Sequence, residues 1–213
     1  MSSGASVGSK AKVSGKAKVS GKAKISGKAR ISGHAQISGT ATVKGSAKVT
    51  GHAAVTDNAV IKGSAWVFGH AKIAGDAQVL DHVEIRGQAR VHGSARISGQ
   101  AEVRESAAVG DRAQITGNAW VGGHARIMGD ASVTGDAYIA GTAELGGSAE
   151  VGKGARVSSP EHVITTTIDG VVWTVYRTHK NGLAAMAGGS TAKAGAIPRE
   201  LRAMAADAWG ATI

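Results

Sequence analysis

Apolar residues recur along this chain with a period of six. Alanine stands at every sixth position from Ala5 to Ala155, with Val83 the one exception in 26. Two residues after each comes Val, Ile or Leu, from Val7 to Val157, without exception. Each unit therefore alternates small apolar, variable and branched apolar residues, the signature of a short strand with one face inward. Glycine usually lies two residues before the alanine and supplies the backbone freedom of a corner. Asp57, Asp81 and Asp111 replace it at three corners, and Asp tolerates left-handed backbone better than most residues. Glu105 and Lys153, at two further corners, have no such explanation.

The unit G-x-A-x-[VI]-x runs through residues 5–157 without an insertion. A period of six does not stay on one face of a 3.6-residue helix. Collagen would need glycine at every third residue and abundant proline, and this chain has two prolines. The pattern predicts an all-β fold: a single-chain parallel β-helix, or triangular β-solenoid, with three hexads and 18 residues per coil. At the parallel-strand spacing of about 4.8 Å per coil, the prism is roughly 40 Å long.

The repeat stops at Ser158-Ser159-Pro160, dividing the chain into a β-helix over 1–157 and a cap over 158–213. Glu161–Asp169 and Val171–Thr178 read as strands joined by an Asp169-Gly170 turn. His179-Lys180-Asn181-Gly182 reads as a second turn, Leu183–Ala187 as a third strand and Gly188–Gly195 as a flexible link. Pro198 then opens a helix over Arg199–Trp209, closed by Gly210. A β-hairpin plus helix over the last coil is expected.

Units such as Ile31-Ser32-Gly33-His34-Ala35-Gln36-Ile37 resemble the hexapeptide repeats of left-handed parallel β-helix proteins, many of them acyltransferases. The resemblance covers residues 5–157 and implies the left-handed fold. For acyl transfer it implies a histidine base beside a pantetheine channel between subunits, set under loops thrown out from the coils. No loop interrupts these hexads, and the neighbours of His34, His52, His70 and His124 are Gly and Ala. The glycine lies two residues after the branched residue, where the family more often has it immediately after. The bactofilins, right-handed β-helical filament formers, are the nearest competing resemblance. A hairpin-and-helix tail also follows hexad arrays in some phage-like proteins, which implies a virion component.

Charge changes this picture at one end. The net charge is +10, and residues 1–56 hold ten Lys/Arg and no acid. The other 15 bases are matched by 15 acids. Lys10, Lys12, Lys16, Lys18, Lys22, Lys24, Lys28 and Arg30 form a basic N-terminal end suited to phosphate or an acidic polymer. Solvated lysines that merely keep ends apart are the other reading. With no cysteine, disulfides and thiolate metal sites are excluded. Residues 1–30 contain no apolar run, so neither a signal peptide nor a membrane span is expected, and synthesis in the cytoplasm is.

Residues 18 apart stack in columns. Trp66, Trp120 and Tyr138 share one outward column, open to three readings: packing beneath the tail, a homotrimer interface, or a ligand groove. Among these, the homotrimer is the expectation. His34, His52 and His70 share a corner column, where imidazoles about 4.8 Å apart could chelate a metal ion. Solvated corners and a column without carboxylates speak against it, and no metal or other cofactor is expected. No Ser/His/Asp cluster, phosphate loop or carboxylate pair appears. The sequence therefore points to a non-enzymatic spacer or adaptor with a basic end, ahead of an acyltransferase or a filament former.

Overall fold

The computed structural model describes residues 4–168, 170–178, 183–188, 190–192 and 196–209. Its shaft holds 26 two-residue strands, β1 (Ser6–Val7) to β26 (Arg156–Val157), each beginning six residues after the last. Every strand from β1 to β23 pairs in parallel with the strand three places on, so Lys18 lies opposite Gln36 and Trp66 opposite Glu84. That is a coil of 18 residues. Three sheets form the walls: face A from β1 to β25 and face B from β2 to β26, with nine strands each, and face C from β3 to β24, with eight.

The sequence dictates this construction locally. Ala23, Ile25, Ala29 and Ile31 begin a column of inward side chains that are fully buried up to Val157. Val83, the one departure from alanine, is also fully buried. Successive coils are tied by amides reaching one coil onward, as in Lys18 N–H to Ala35 O (2.8 Å) and Val60 N–H to Ala77 O (2.9 Å). At the N-terminal end, Ala5, Val7, Ala11, Val13 and Ala17 are only partly buried.

Corners explain what the sequence left open. Among the described residues, four non-glycine residues have positive φ: Asp57, Asp81, Glu105 and Asp111. Each carboxylate accepts the amide of the glycine directly above. Asp57 takes Gly75 N–H (2.9 Å), Asp81 takes Gly99 N–H (3.1 Å), Asp111 takes Gly129 N–H (2.9 Å), and Glu105 takes Gly123 N–H. Glu105 thus belongs to the same class as the aspartates. At the Lys153 corner the positive φ passes to Gly154 instead, and its amide is taken by Asp136 (2.8 Å).

A paired test follows at Gly51, where φ is +69°. Gly51→Ala places a Cβ 3.0 Å from the Gly69 amide and is expected to cost about 1–2 kcal/mol. Gly51→Asp should recover about 1 kcal/mol of that through the new hydrogen bond. Equal denaturation midpoints for the two variants would remove the capping role.

The cap departs from expectation in two places. Pro160–His162 form a 3-10 turn rather than the start of a strand, because proline lacks the amide a ladder needs. The expected flexible link contains a fourth strand. The cap sheet is β27 (Val163–Ile168), β28 (Val171–Arg177), β29 (Leu183–Ala187) and β30 (Ser190–Ala192), antiparallel throughout. Helix α1 (Arg199–Trp209) lies where the sequence placed it and buries Leu201 and Ala205 with Ile197 against Val175 and Ala185. The turn expected over 179–182, Asp169 of the hairpin turn and the closing Gly210 lie outside the described residues.

The cap seats on the last coil through faces A and B. Tyr176 and Met186 join the shaft core, Thr174 Oγ1 accepts Glu150 N–H (2.9 Å), and Thr178 bridges to Ala155. Face C ends one strand short, at β24 (Glu144–Leu145).

Candidate functional site

Polar and aromatic side chains outside the core are distributed by column. The N-terminal bases Lys10, Lys12, Lys16, Lys18, Lys22, Lys24, Lys28 and Arg30 are all exposed, spread over three faces and three corners. Their placement around the shaft is uneven. Lys10, Lys28, Lys44 and Lys62 line the corner between faces A and B, and Lys12, Arg30 and Lys48 stand in register on face B.

Face B continues upward as Trp66, Glu84, Glu102, Trp120, Tyr138 and Arg156. Trp120 and Tyr138 stack with centroids 4.3 Å apart and planes 6° from parallel. Arg104 lies 4.1 Å from the Trp120 ring and Arg156 4.7 Å from the Tyr138 ring. The result is a stack of cation, indole, phenol and cation along the shaft. Trp120 folds across Gly122, where a Cβ would sit 2.4 Å from the indole. Below the stack, Arg86 Nε lies 2.9 Å from Glu84 Oε1, and Arg86 and Arg104 flank Glu102 at 3.9 and 4.0 Å.

Trp66 differs. It stacks on Phe68 (4.3 Å), lies 5.8 Å from Lys48 Nζ, and is 41% exposed. All three aromatics are stacked within the chain, and Trp66 keeps the most exposed surface while Trp120 and Tyr138 are half-buried. Packing beneath the tail does not account for Trp66, because the cap seats on β25 and β26. Phe68, Arg86 and Arg104 escaped the sequence reading. They occupy the corner position two residues after the outward strand residue, and reading that column as well would have found them.

The histidines are stacked rather than convergent. His34, His52 and His70 have ring centroids 4.7 and 4.9 Å apart, with planes within 13°. Zinc–nitrogen bonds of about 2.1 Å hold two nitrogens at most about 4.2 Å apart, with lone pairs converging on the ion. Lone pairs of parallel rings do not converge. Among the described residues, no three His, Cys, Asp or Glu side chains are grouped to hold a metal ion.

One titratable group ties cap to shaft. Both ring nitrogens of His162 face donors: Arg177 Nη1 lies 3.1 Å from Nε2, and the Ser158 amide donates to Nδ1 (3.2 Å), with Ser158 Oγ 3.3 Å away. Burial first, and then neighbouring Arg177, hold the His162 pKa below its ordinary 6.5. The folded state therefore binds this proton less readily than the unfolded chain. The associated stability is present above about pH 6.5 and is lost as pH falls through the lowered folded value. Protease resistance of the cap is expected to fall on acidification below about pH 6.5, and His162→Gln to flatten that fall. An unchanged profile in the variant would remove His162 as the cause.

The fold and surfaces together define a capped parallel β-solenoid with a basic end. No protein-family model matches the chain, and no curated protein sequence matches it. Among the described residues, no helix is long and apolar enough to cross a membrane.

Proposed function

We propose that this chain is a non-catalytic structural protein. It is a rigid β-solenoid spacer or adaptor in a larger assembly such as a phage virion, with its basic end holding an anionic partner. One observation carries the reading: an uninterrupted shaft separates a seated cap at one end from a field of acid-free positive charge at the other. A parallel prism hydrogen-bonded between every coil transmits position without bending. Among the described residues, no loop overhangs the faces to enclose an acyl donor.

Ten bases unscreened by any acid create a local field that attracts a polyanion. Affinity for polyphosphate is therefore expected to fall steeply with salt, as counterion release requires. Changing Lys10, Lys16, Lys22 and Lys28 to Gln should flatten the dependence and leave the fold intact, because all four are exposed. Salt-insensitive or background binding would defeat the proposal. End-to-end association of the Gln variant, read by sedimentation, would instead identify the lysines as guards of an open end.

A further inference from the structure

We infer that the basic end is a track for single-stranded nucleic acid, running up the corner between faces A and B and across face B to Trp66. The inference rests on the polyanion reading above and assigns its ligand and its path. Beyond Arg30, the next three bases are Lys44, Lys48 and Lys62, and all three lie on this track. With Lys10, Lys12, Lys28 and Arg30, seven of the eleven bases before Trp66 are there. The remaining four, Lys16, Lys18, Lys22 and Lys24, are confined to the first coil and a half and are divided among the other faces and corners.

The track also has an end. Face B reads Lys12, Arg30, Lys48, Trp66 and then Glu84 and Glu102. The corner carries two columns, Lys10 and Lys28 followed by Ser46 and Ser64, and Lys44 and Lys62 followed by Leu80 with Asp81 beside it. Cations spaced at about 4.8 Å thus climb about 14 Å to an aromatic and give way to acids. At 41% exposure Trp66 is the most exposed Trp, Tyr or Phe among the described residues, and it is held in place by Phe68. A row of phosphate-binding cations leading to a fixed, exposed aromatic ring is the arrangement that binds single strands, with phosphates on the cations and a base on the ring. An acidic polysaccharide would satisfy the cations but offers no base to stack.

The test compares two charge-matched variants of the full chain by titration of labelled oligo(dT) at several salt concentrations. One carries Lys10, Lys28, Lys44 and Lys62 changed to Gln; the other carries Lys16, Lys18, Lys22 and Lys24 changed to Gln. The track predicts that the first lowers the slope of log affinity against log salt by about 3, since each phosphate contact contributes about 0.7 for a single strand. The second should leave most of the slope in place. Trp66→Ala should weaken oligo(dT) binding roughly five- to one-hundred-fold. It should leave binding of polygalacturonate, which has carboxylates and no bases, unchanged. Equal losses from the two lysine variants would overturn the track while sparing the basic end, and absence of binding in the parent protein would overturn both. Polygalacturonate binding as tight and as dependent on Trp66 would assign the site to an acidic glycan instead. A free protein that sediments as a trimer with Trp66 buried would overturn the stacking role.

Discussion

Truncating Ile97 to alanine is expected to destabilise the shaft by about 2–5 kcal/mol, the largest effect available from one aliphatic side chain. Ile97 is fully buried in the middle of face A, between Val79 below and Ile115 above. The prism has no second layer to close over a vacancy: its interior is one column of side chains, and every neighbour is fixed by its own coil. Each coil touches only the coils beside it, so a weakened rung also weakens the coupling between the two halves of the shaft. Chemical denaturation of Ile97→Ala should show a lowered midpoint and a broader transition. Arg96→Ala, one residue away on the outer surface, should stay within about 0.5 kcal/mol of the parent. If the two variants unfold alike, residue 97 does not face the core.

Tyr176→Ala is expected to cost about 3–5 kcal/mol, concentrated in the seating of the cap. Tyr176 is 1% exposed and belongs to the core of the shaft although β28 carries it. Burial raises its pKa, partly offset by a hydrogen bond to the backbone of Gly152. Removing the ring uncovers the top of the core near Val151 and Val157 and leaves Thr174 and Thr178 as the nearby polar ties. Limited proteolysis should release the region beyond residue 158 while the shaft persists. Tyr176→Phe, which keeps the ring, should cost only about 1 kcal/mol. Met204→Ala, at a half-exposed position of α1, serves as the neutral control. A cap equally resistant to protease with alanine at 176 would show that its seating does not depend on this ring.

The shaft was legible in the sequence because one rule repeats in every unit, and any shift of register by one residue would turn alanine and valine to solvent. The coil length, the inward columns and the helix over Arg199–Trp209 follow from local pattern alone. The cap was read less fully. Ser190–Ala192 pairs with β29 through backbone bonds that leave no apolar alternation in Ser-Thr-Ala, so nothing in those residues announces a strand. Glu161 and His162 fell outside β27 because Pro160 initiates a turn there. Among candidate site residues, the lysines and aromatics stand on the columns the 18-residue period assigns them. Their pairings were not legible. Whether Trp120 meets Tyr138 and Arg104, while Trp66 meets Phe68, depends on side-chain rotation over a smooth wall, and corner residues such as Gly122 decide it.

The two-residue strand with its four-residue connection makes the shaft an indexed object. Removing three consecutive hexads shortens it by one coil and returns every column to its place. Removing one hexad shortens it by a third of a coil and also turns everything above the cut by a third of a turn. Such a deletion between Trp66 and Glu102 would preserve the buried column, since Ala and Val/Ile recur at every hexad but one. It would carry the Arg104–Trp120–Tyr138–Arg156 stack and the cap to a different side from the lysines. Length and azimuth are thus coupled in this molecule. Whatever its two ends hold, their angular relation is encoded by the number of hexads between them, counted modulo three.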